Sequence, residues 1–344
     1  MNIYHNYSLK PHNTFGLDVR AAAYLRVTTL AELREALRMG QDFTRVLVLG
    51  GGSNLLLMRD VEGLVIHIAL QGKQIVQESI STLDVECAAG EVWDDIVQYA
   101  VEQNWCGIEN LSLIPGSVGA APVQNIGAYG VEIKDVLISV QGVMRDTGEL
   151  RTLTKDECAF GYRDSVFKRD LKEKFVITSV TMRLRKNPTA ADLTTSYGAI
   201  REELQRQKPD ATPDAYTVAD VSETVRHIRR SKLPNPAEIG NAGSFFKNPE
   251  ISEEVYQRLH ATFPQMPLFK QDSGRVKIPA AWLIEQCGWK GRREGDAGIH
   301  TQQALVLVNY GNATGQGLVR LSEEVRSSVE EKFGIRLETE VNIV

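Results

Sequence analysis

Two glycine-rich tracts constrain this chain more than any other feature. The first, Gly50-Gly51-Gly52-Ser53-Asn54, directly follows the short apolar run Arg45-Val46-Leu47-Val48-Leu49 and continues into Leu55-Leu56-Leu57. A strand opening onto glycines suggests the dinucleotide fingerprint G-x-G-x-x-G. Here the third glycine would fall at Leu55, and no helical pattern follows. Instead Gly63-Leu64-Val65-Ile66-His67-Ile68 predicts another strand. The element reads as strand, loop, strand. Its successive backbone N–H groups suit an anion-binding nest for a pyrophosphate, or, on these residues alone, a plain glycine hairpin.

The second tract is longer: Ile114-Pro115-Gly116-Ser117-Val118-Gly119-Ala120-Ala121-Pro122, then Asn125-Ile126-Gly127-Ala128-Tyr129-Gly130. So many small residues cannot build a core by themselves. They let a backbone lie flat against something large and planar or phosphorylated. Structureless loops of this length are uncommon unless functional, which weighs against an idle surface loop. Two such tracts, about 65 residues apart, predict one extended dinucleotide cofactor held without the doubly wound fold.

The 344 residues predict two or three domains rather than one core. A net charge of −5 argues against a general binder of nucleic-acid backbones, though a local basic patch can still hold a phosphorylated small molecule. No apolar run approaches a membrane span, and Met1 to Lys10 lacks the apolar core of a signal peptide. Cys87, Cys106, Cys158 and Cys287 are scattered, and the six histidines form no metal-type motif, so no metal is expected. A reduced, cytoplasmic enzyme is the default expectation.

Several residues around the tracts carry chemistry. Val92 to Gln103 predicts an amphipathic helix with Val92, Trp93, Ile96, Val97, Ala100 and Val101 inward. Strands at 136–143, 150–153 and 175–184 bracket Phe160 to Lys168. Arg163 stands there among aromatics and needs a carboxylate or phosphate partner, for which Asp164 or Asp170 would serve. Thr217-Val218-Ala219-Asp220 reads as a capping box opening a helix with Val218, Val221, Val225 and Ile228 inward. That helix ends in Arg226, Arg229, Arg230 and Lys232, which form either a solvated face or a phosphate holder. In Gly240-Asn241-Ala242-Gly243-Ser244-Phe245-Phe246-Lys247-Asn248-Pro249 two rings can anchor a turn that presents one hydroxyl, Ser244; a hairpin turn is the plainer reading. Gln302 to Val308 predicts a strand. The last strand alternates, with Ile335, Leu337, Val341 and Ile343 on one face and Glu338, Glu340 and Asn342 on the other. Glu340 is either solvated or aimed into a cleft.

With these residues assembled, the chain resembles the MurB family, the UDP-N-acetylenolpyruvoylglucosamine reductases of peptidoglycan synthesis. Six blocks in order carry the likeness: HNTFG at 12–16, LGGGSNLLL at 49–57, LIPGSVGAAPVQNIGAYG at 113–130, FGYRDSVF at 160–167, GNAGSFFKNP at 240–249 and LETEV at 337–341. The resemblance implies an α+β fold: a two-subdomain FAD-binding fold of the para-cresol methylhydroxylase/vanillyl-alcohol oxidase type, plus a C-terminal α+β substrate-binding domain. The expected division is 1–72 and 73–213 for the FAD-binding subdomains, with the FAD-binding region spanning about 17–187, and 214–344 for the substrate domain.

The same resemblance implies noncovalent FAD, NADPH as reductant, and UDP-N-acetylglucosamine enolpyruvate as substrate, in a monomer with no nucleic-acid or membrane partner. Ser244 matches the proton donor, Arg163 the carboxylate-binding arginine and Glu340 the catalytic glutamate. Tyr197, Lys232, Asn248 and Gln303 match positions that hold the UDP-sugar, with Tyr129 nearby. Cofactor contacts are expected from Gly50, Gly51, Gly52, Ser53, Asn54 and Leu55, from Ile114, Pro115, Gly116, Ser117, Gly119, Ala120, Ile126 and Gly127, and from Arg229. Many relatives carry a hydroxyl where this chain has Ala120 and Ala121, so pyrophosphate contacts there would fall to backbone N–H groups. Two rivals remain at this point. A flavoprotein oxidase of the same superfold would need a catalytic base near the flavin. A non-catalytic nucleotide-sugar binding protein would not need Ser244, Arg163 and Glu340 together.

Overall fold

Short runs of Val, Leu and Ile suit strands buried on both faces. In the computed structural model, which describes residues 1–271 and 273–344, the first such runs form a four-stranded sheet. Its order is Tyr4–Ser8, Arg20–Val27, Val61–Ile68, Val46–Leu49, and the last three strands are parallel. Parallel neighbours require a crossover. Helix α1 (Leu30–Met39) leads from Arg20–Val27 toward Val46–Leu49; the Thr29 hydroxyl caps it by accepting from the Glu32 N–H at 3.1 Å. Val46–Leu49 then delivers the chain to Gly50 and Gly51.

The second sheet of this region is antiparallel, in the order Leu150–Thr154, Leu137–Met144, Phe175–Lys186, Thr82–Ala88, Lys73–Glu78, with Trp105–Cys106 pairing the end of Phe175–Lys186. Helix α2 (Trp93–Glu102) buries Trp93, Ile96, Val97 and Ala100. Val92, expected inward, is 50% exposed. It precedes the first helical turn and bridges Ser117 as extended backbone, so the helical period does not apply to it. Helices α3 (Gly198–Gln207) and α4 (Val218–Lys232) pack together through Ile200, Leu204, Val218, Val221, Val225 and Ile228. Burying each such side chain contributes roughly 1.5–3 kcal/mol.

In the C-terminal region Gly240–Ser244, Val306–Asn309, Ala297–Ile299 and Arg293–Glu294 form an antiparallel sheet in that order. Glu250–Ile251, Val276–Lys277 and Phe269–Lys270 make a smaller one. Helices α5 (Glu253–Thr262), α6 (Ala280–Gln286) and α7 (Gly315–Phe333) accompany them. The strand expected from Gln302 begins only at Val306, because 302–305 turn: the Val306 N–H donates to the Gln303 carbonyl at 3.0 Å. The alternation after Gly334 survives as burial of Ile335, Leu337 and Val341. As a ladder it is confined to Asn342–Ile343, parallel to Leu55–Leu56, and to a bridge between Thr339 and Phe246.

By compactness the chain divides into two units: Met1–Tyr7, Ala21–Gly51 and Val61–Ser231 form the first, and Ser8–Arg20, Gly52–Asp60 and Lys232–Val344 the second. These bounds fall elsewhere than those expected at 72 and 213. Helix α4 stays with the first unit to Ser231, because its apolar stripe is buried on α3 and Arg226 pairs with Asp94 at 2.6 Å. Two early segments join the second unit, tied there by long-range pairing such as that of Leu55–Leu56. Among the described residues no helix is long and apolar enough to cross a membrane.

Candidate active site

In the first unit Gly50 and Gly51 meet the second glycine tract. A Cβ on Gly50 would stand 2.5 Å from the Ser117 hydroxyl oxygen, and one on Gly51 would stand 3.0 Å from the Gly116 Cα. Glycine is therefore required for the contact itself. Gly116 to Gly119 is held from behind: the Trp93 N–H donates to the Gly116 carbonyl at 3.0 Å, and the N–H groups of Val118 and Gly119 donate to the Glu91 and Ala89 carbonyls at 2.9 Å each. Ala121 is buried and Ala120 exposed. Ile114 and Pro115 follow Leu113, a non-glycine residue at φ +60°. Both backbone groups of Leu113 are gripped by charged side chains. Its N–H donates to Asp94 Oδ1 at 2.6 Å, and its carbonyl accepts from Arg229 Nε at 3.3 Å.

Arg229 gathers with Arg163, Tyr129 and Tyr197. Burial depresses the pKa of the Arg229 guanidinium, the phenol of Tyr129 and the carboxylate of Asp94 oppose that shift, and the like charge of Arg163 adds to it. Burial likewise raises the pKa of Tyr129, while Arg229 pulls it down. The rings of Tyr129 and Tyr197 meet edge to face at 5.7 Å, Tyr197 being 48% exposed just ahead of α3. Arg163 sits at φ +52° and donates to the Gly127 carbonyl at 2.7 Å and the Asn125 carbonyl at 3.4 Å. Asp164, one of its two expected partners, is paired instead with Arg169. Two guanidinium groups held in each other's field favour an anion between or beside them. Among the described residues the Arg229 guanidinium makes one hydrogen bond, so most of its donors remain for such a ligand. The contacting glycines and the Arg229 guanidinium fit a pyrophosphate-bearing cofactor.

In the second unit a closed circuit of hydrogen bonds surrounds Ser244. The Gly52 carbonyl accepts from the Thr14 N–H at 3.2 Å, and the Thr14 carbonyl accepts from the Asn241 N–H at 2.9 Å. Strand Gly240–Ser244 then leads to Phe245, whose carbonyl accepts from the Glu340 N–H at 2.8 Å. The Glu340 carbonyl accepts from Asn54 Nδ2 at 3.2 Å, which returns the circuit to the segment carrying Gly52, Ser53 and Asn54. Leu55 continues into the pairing with Asn342. Phe245 and Phe246 are 0% and 1% exposed and meet at 5.2 Å, so the loop is anchored as its aromatic pair predicts. Ser244 and Glu340 are both half-buried.

The remaining expected ligand positions are more scattered. Asn248 Oδ1 caps α6 by accepting from the Ala280 N–H at 2.9 Å. Gln303 occupies the turn before Val306, its Oε1 accepting from the Leu305 N–H at 3.4 Å. Lys232 is exposed at the end of α4. Sequence reading passed over Thr14, Asp94 and Asn241, which hold the expected site residues in place. Block HNTFG contained the first and GNAGSFFKNP the last, but neither shows from sequence what it holds; Asp94 carried no signal.

Residues 21–154 match an FAD-binding domain family, and residues 235–344 match the family described as UDP-N-acetylenolpyruvoylglucosamine reductase, C-terminal domain. The fold is shared with 6-hydroxy-D-nicotine oxidase from Arthrobacter nicotinovorans, at a TM-score of 0.52 and 14% identity over 97% of this chain and 83% of that one. The FAD-binding match and the shared fold define an FAD-binding flavoprotein of α+β architecture. Full-length relatives narrow the class. UDP-N-acetylenolpyruvoylglucosamine reductases from Flavobacterium johnsoniae and Chromobacterium violaceum are 48% and 50% identical, over 100% and 96% of each chain respectively. The crystal structure of MurB from Thermus caldophilus matches with a TM-score of 0.68 and 25% identity, covering 99% of this chain and 98% of that one. The chain belongs to the UDP-N-acetylenolpyruvoylglucosamine reductase family, which sets aside both a non-catalytic binder and an oxidase.

Proposed function

We propose that the protein uses NADPH, through a noncovalently held FAD, to reduce the enolpyruvyl ether of UDP-N-acetylglucosamine enolpyruvate to UDP-N-acetylmuramate in the cytoplasm. In this reading residues 1–72 and 73–213 chiefly serve the cofactor and 214–344 chiefly the UDP-sugar, with Arg229 assigned to the cofactor and Tyr129, Arg163 and Tyr197 to the substrate. The observation that carries it is the circuit placing the Glu340 backbone on Phe245, the residue after Ser244, within hydrogen-bond reach of the Asn54 side chain.

When bound, the flavin supplies the hydride that adds to the methylene carbon of the enol ether. Negative charge then develops on the adjacent carbon and its carboxylate. Arg163 holds that carboxylate, and Glu340, if protonated, stabilises the same charge. Ser244 Oγ donates its proton to the adjacent carbon and recovers one from water, general-acid work suited to a strongly basic centre. The glycine tracts with Arg229 seat the cofactor. Tyr129, Tyr197, Lys232, Asn248 and Gln303 hold the UDP-sugar, Lys232 as a point charge on the diphosphate.

Ser244→Ala tests the reading, because the two half-reactions separate. Flavin reduction by NADPH needs no proton on a substrate carbon and should stay nearly intact. Reoxidation by the enolpyruvyl UDP-sugar should slow by roughly 10² to 10⁴. Stopped-flow absorbance at the flavin band measures both. Equal slowing of the two steps would assign Ser244 to cofactor positioning instead.

A further inference from the structure

We infer that Asn241 is a positioning residue for Ser244: it holds the bulge that sets where the hydroxyl emerges from its strand. The inference rests on the reading of Ser244 as proton donor. In the ladder with Val306–Asn309, Asn241 faces Val308 and Ser244 faces Val306. Three steps on one strand thus oppose two on the other, and one residue is extra. An extra residue changes which side of the sheet the next side chain takes. Gly243 adopts φ +70°, and a Cβ there would meet nothing within 4 Å. Torsion, not space, demands this glycine.

A bulge leaves backbone groups without ladder partners, and Asn241 supplies one. Its Oδ1 accepts from the Gly243 N–H at 3.0 Å. Its Nδ2 donates to the Ile239 carbonyl at 2.9 Å and the Pro234 carbonyl at 3.2 Å, fixing the approach to the strand. The residue is 2% exposed, so water does not replace these bonds. Without them the bulge can relax along the strand, and Ser244 moves with it.

Asn309 provides a matched control on the opposite strand. It is 4% exposed and also makes three side-chain hydrogen bonds: to the Phe15 carbonyl at 2.8 Å, and from the N–H groups of Gly311 and Ala313 at 2.8 and 2.9 Å. Its ladder partners are Gly240 and, on its other side, Ala297, both outside the bulge.

The experiment measures thermal stability, flavin content and the two flavin half-reactions for Asn241→Ala, Asn309→Ala and Ser244→Ala in parallel. Asn241→Ala should slow reoxidation by the enolpyruvyl UDP-sugar roughly 10- to 100-fold while reduction by NADPH changes less than about threefold, the signature of a misplaced reacting group. Its solvent deuterium effect on reoxidation should rise. Asn309→Ala should lose comparable stability with no such split. Equal slowing of both steps in Asn241→Ala, or the same split in Asn309→Ala, overturns the inference. If Ser244→Ala leaves reoxidation fast, the donor reading itself fails. If Ser244→Ala slows it and Asn241→Ala does not, only the positioning role fails. Should Asn241→Ala not fold, Asn241→Ser is measured in its place, and hydrogen exchange on the native holoenzyme decides independently. There the Gly243 amide must be protected like its strand neighbours; rapid exchange refutes the bond to Asn241.

Discussion

At the scale of single residues, identical glycines are required for different reasons. A Cβ on Gly240 would lie 2.1 Å from the Phe15 carbonyl oxygen, and one on Gly52 would lie 2.0 Å from that of His12. These neighbours are backbone and cannot swing away. Gly243 meets only torsional strain, which for an alanine in the left-handed region is about 1–2 kcal/mol. Gly243→Ala should therefore fold with FAD bound and lose about that much in urea denaturation. Gly240→Ala should lose more than about 4 kcal/mol or fail to accumulate as folded protein. Equal stability of the two variants would contradict the close packing of Gly240 on Phe15. In sequence the two glycines look alike, because neither the φ angle nor the approaching carbonyl is a local property.

At the scale of elements, α4 divides what was legible from what was not. Its capping box is found as read: the Thr217 hydroxyl accepts from the Asp220 N–H at 3.2 Å, and Asp220 Oδ2 accepts from the Thr217 N–H at 3.0 Å. The apolar stripe is buried as its period predicts. The cationic end was read as one cluster, yet Arg226 is 8% exposed and paired with Asp94, while Arg230 is exposed. Breaking a buried ion pair from one side costs roughly 3–5 kcal/mol. Asp94 keeps 22% of its side-chain surface exposed, so Asp94→Ala should lose about 2–3 kcal/mol, discounted for solvent screening. FAD affinity should weaken as well, because the Leu113 N–H loses its acceptor at the entry to the second glycine tract. Adding Arg226→Met should restore much of the stability but little of the affinity. Urea denaturation and flavin fluorescence titration read the two effects apart. An affinity unchanged in Asp94→Ala would show that Leu113 does not need this grip.

At the scale of the molecule, the first unit holds Gly50, Gly51 and the second glycine tract, and the second has Gly52 to Asn54 and the circuit around Ser244. After residue 130 the sequence holds no second dinucleotide fingerprint, which motivates the hypothesis that NADPH and the UDP-sugar occupy one site in turn. Steady-state velocities should then give parallel double-reciprocal lines, with inhibition at high substrate. Intersecting lines would require both ligands bound at once and would exclude a shared site.

The sequence by itself determined the family, through six ordered blocks, and it carries the groups the proposed reaction uses: a hydroxyl, a guanidinium, a carboxylate and two glycine tracts. It also determined the local elements, since helical period, capping residues and apolar runs act within a few positions. Only the tertiary structure decided which sheet each strand joins and which charges are buried. Segments 8–20 and 52–60 lie early in the chain yet belong with 232–344. The bond from Asn54 to the Glu340 carbonyl spans 286 positions. The closing alternation after Gly334 became burial without a continuous ladder, because a ladder needs a partner strand that periodicity does not name. The bulge at Ser244 depends in the same way on the register with Val306 and Val308. Periodicity encodes whether a residue is buried. Pairing and register arise from contacts between distant segments, and no local pattern carries them.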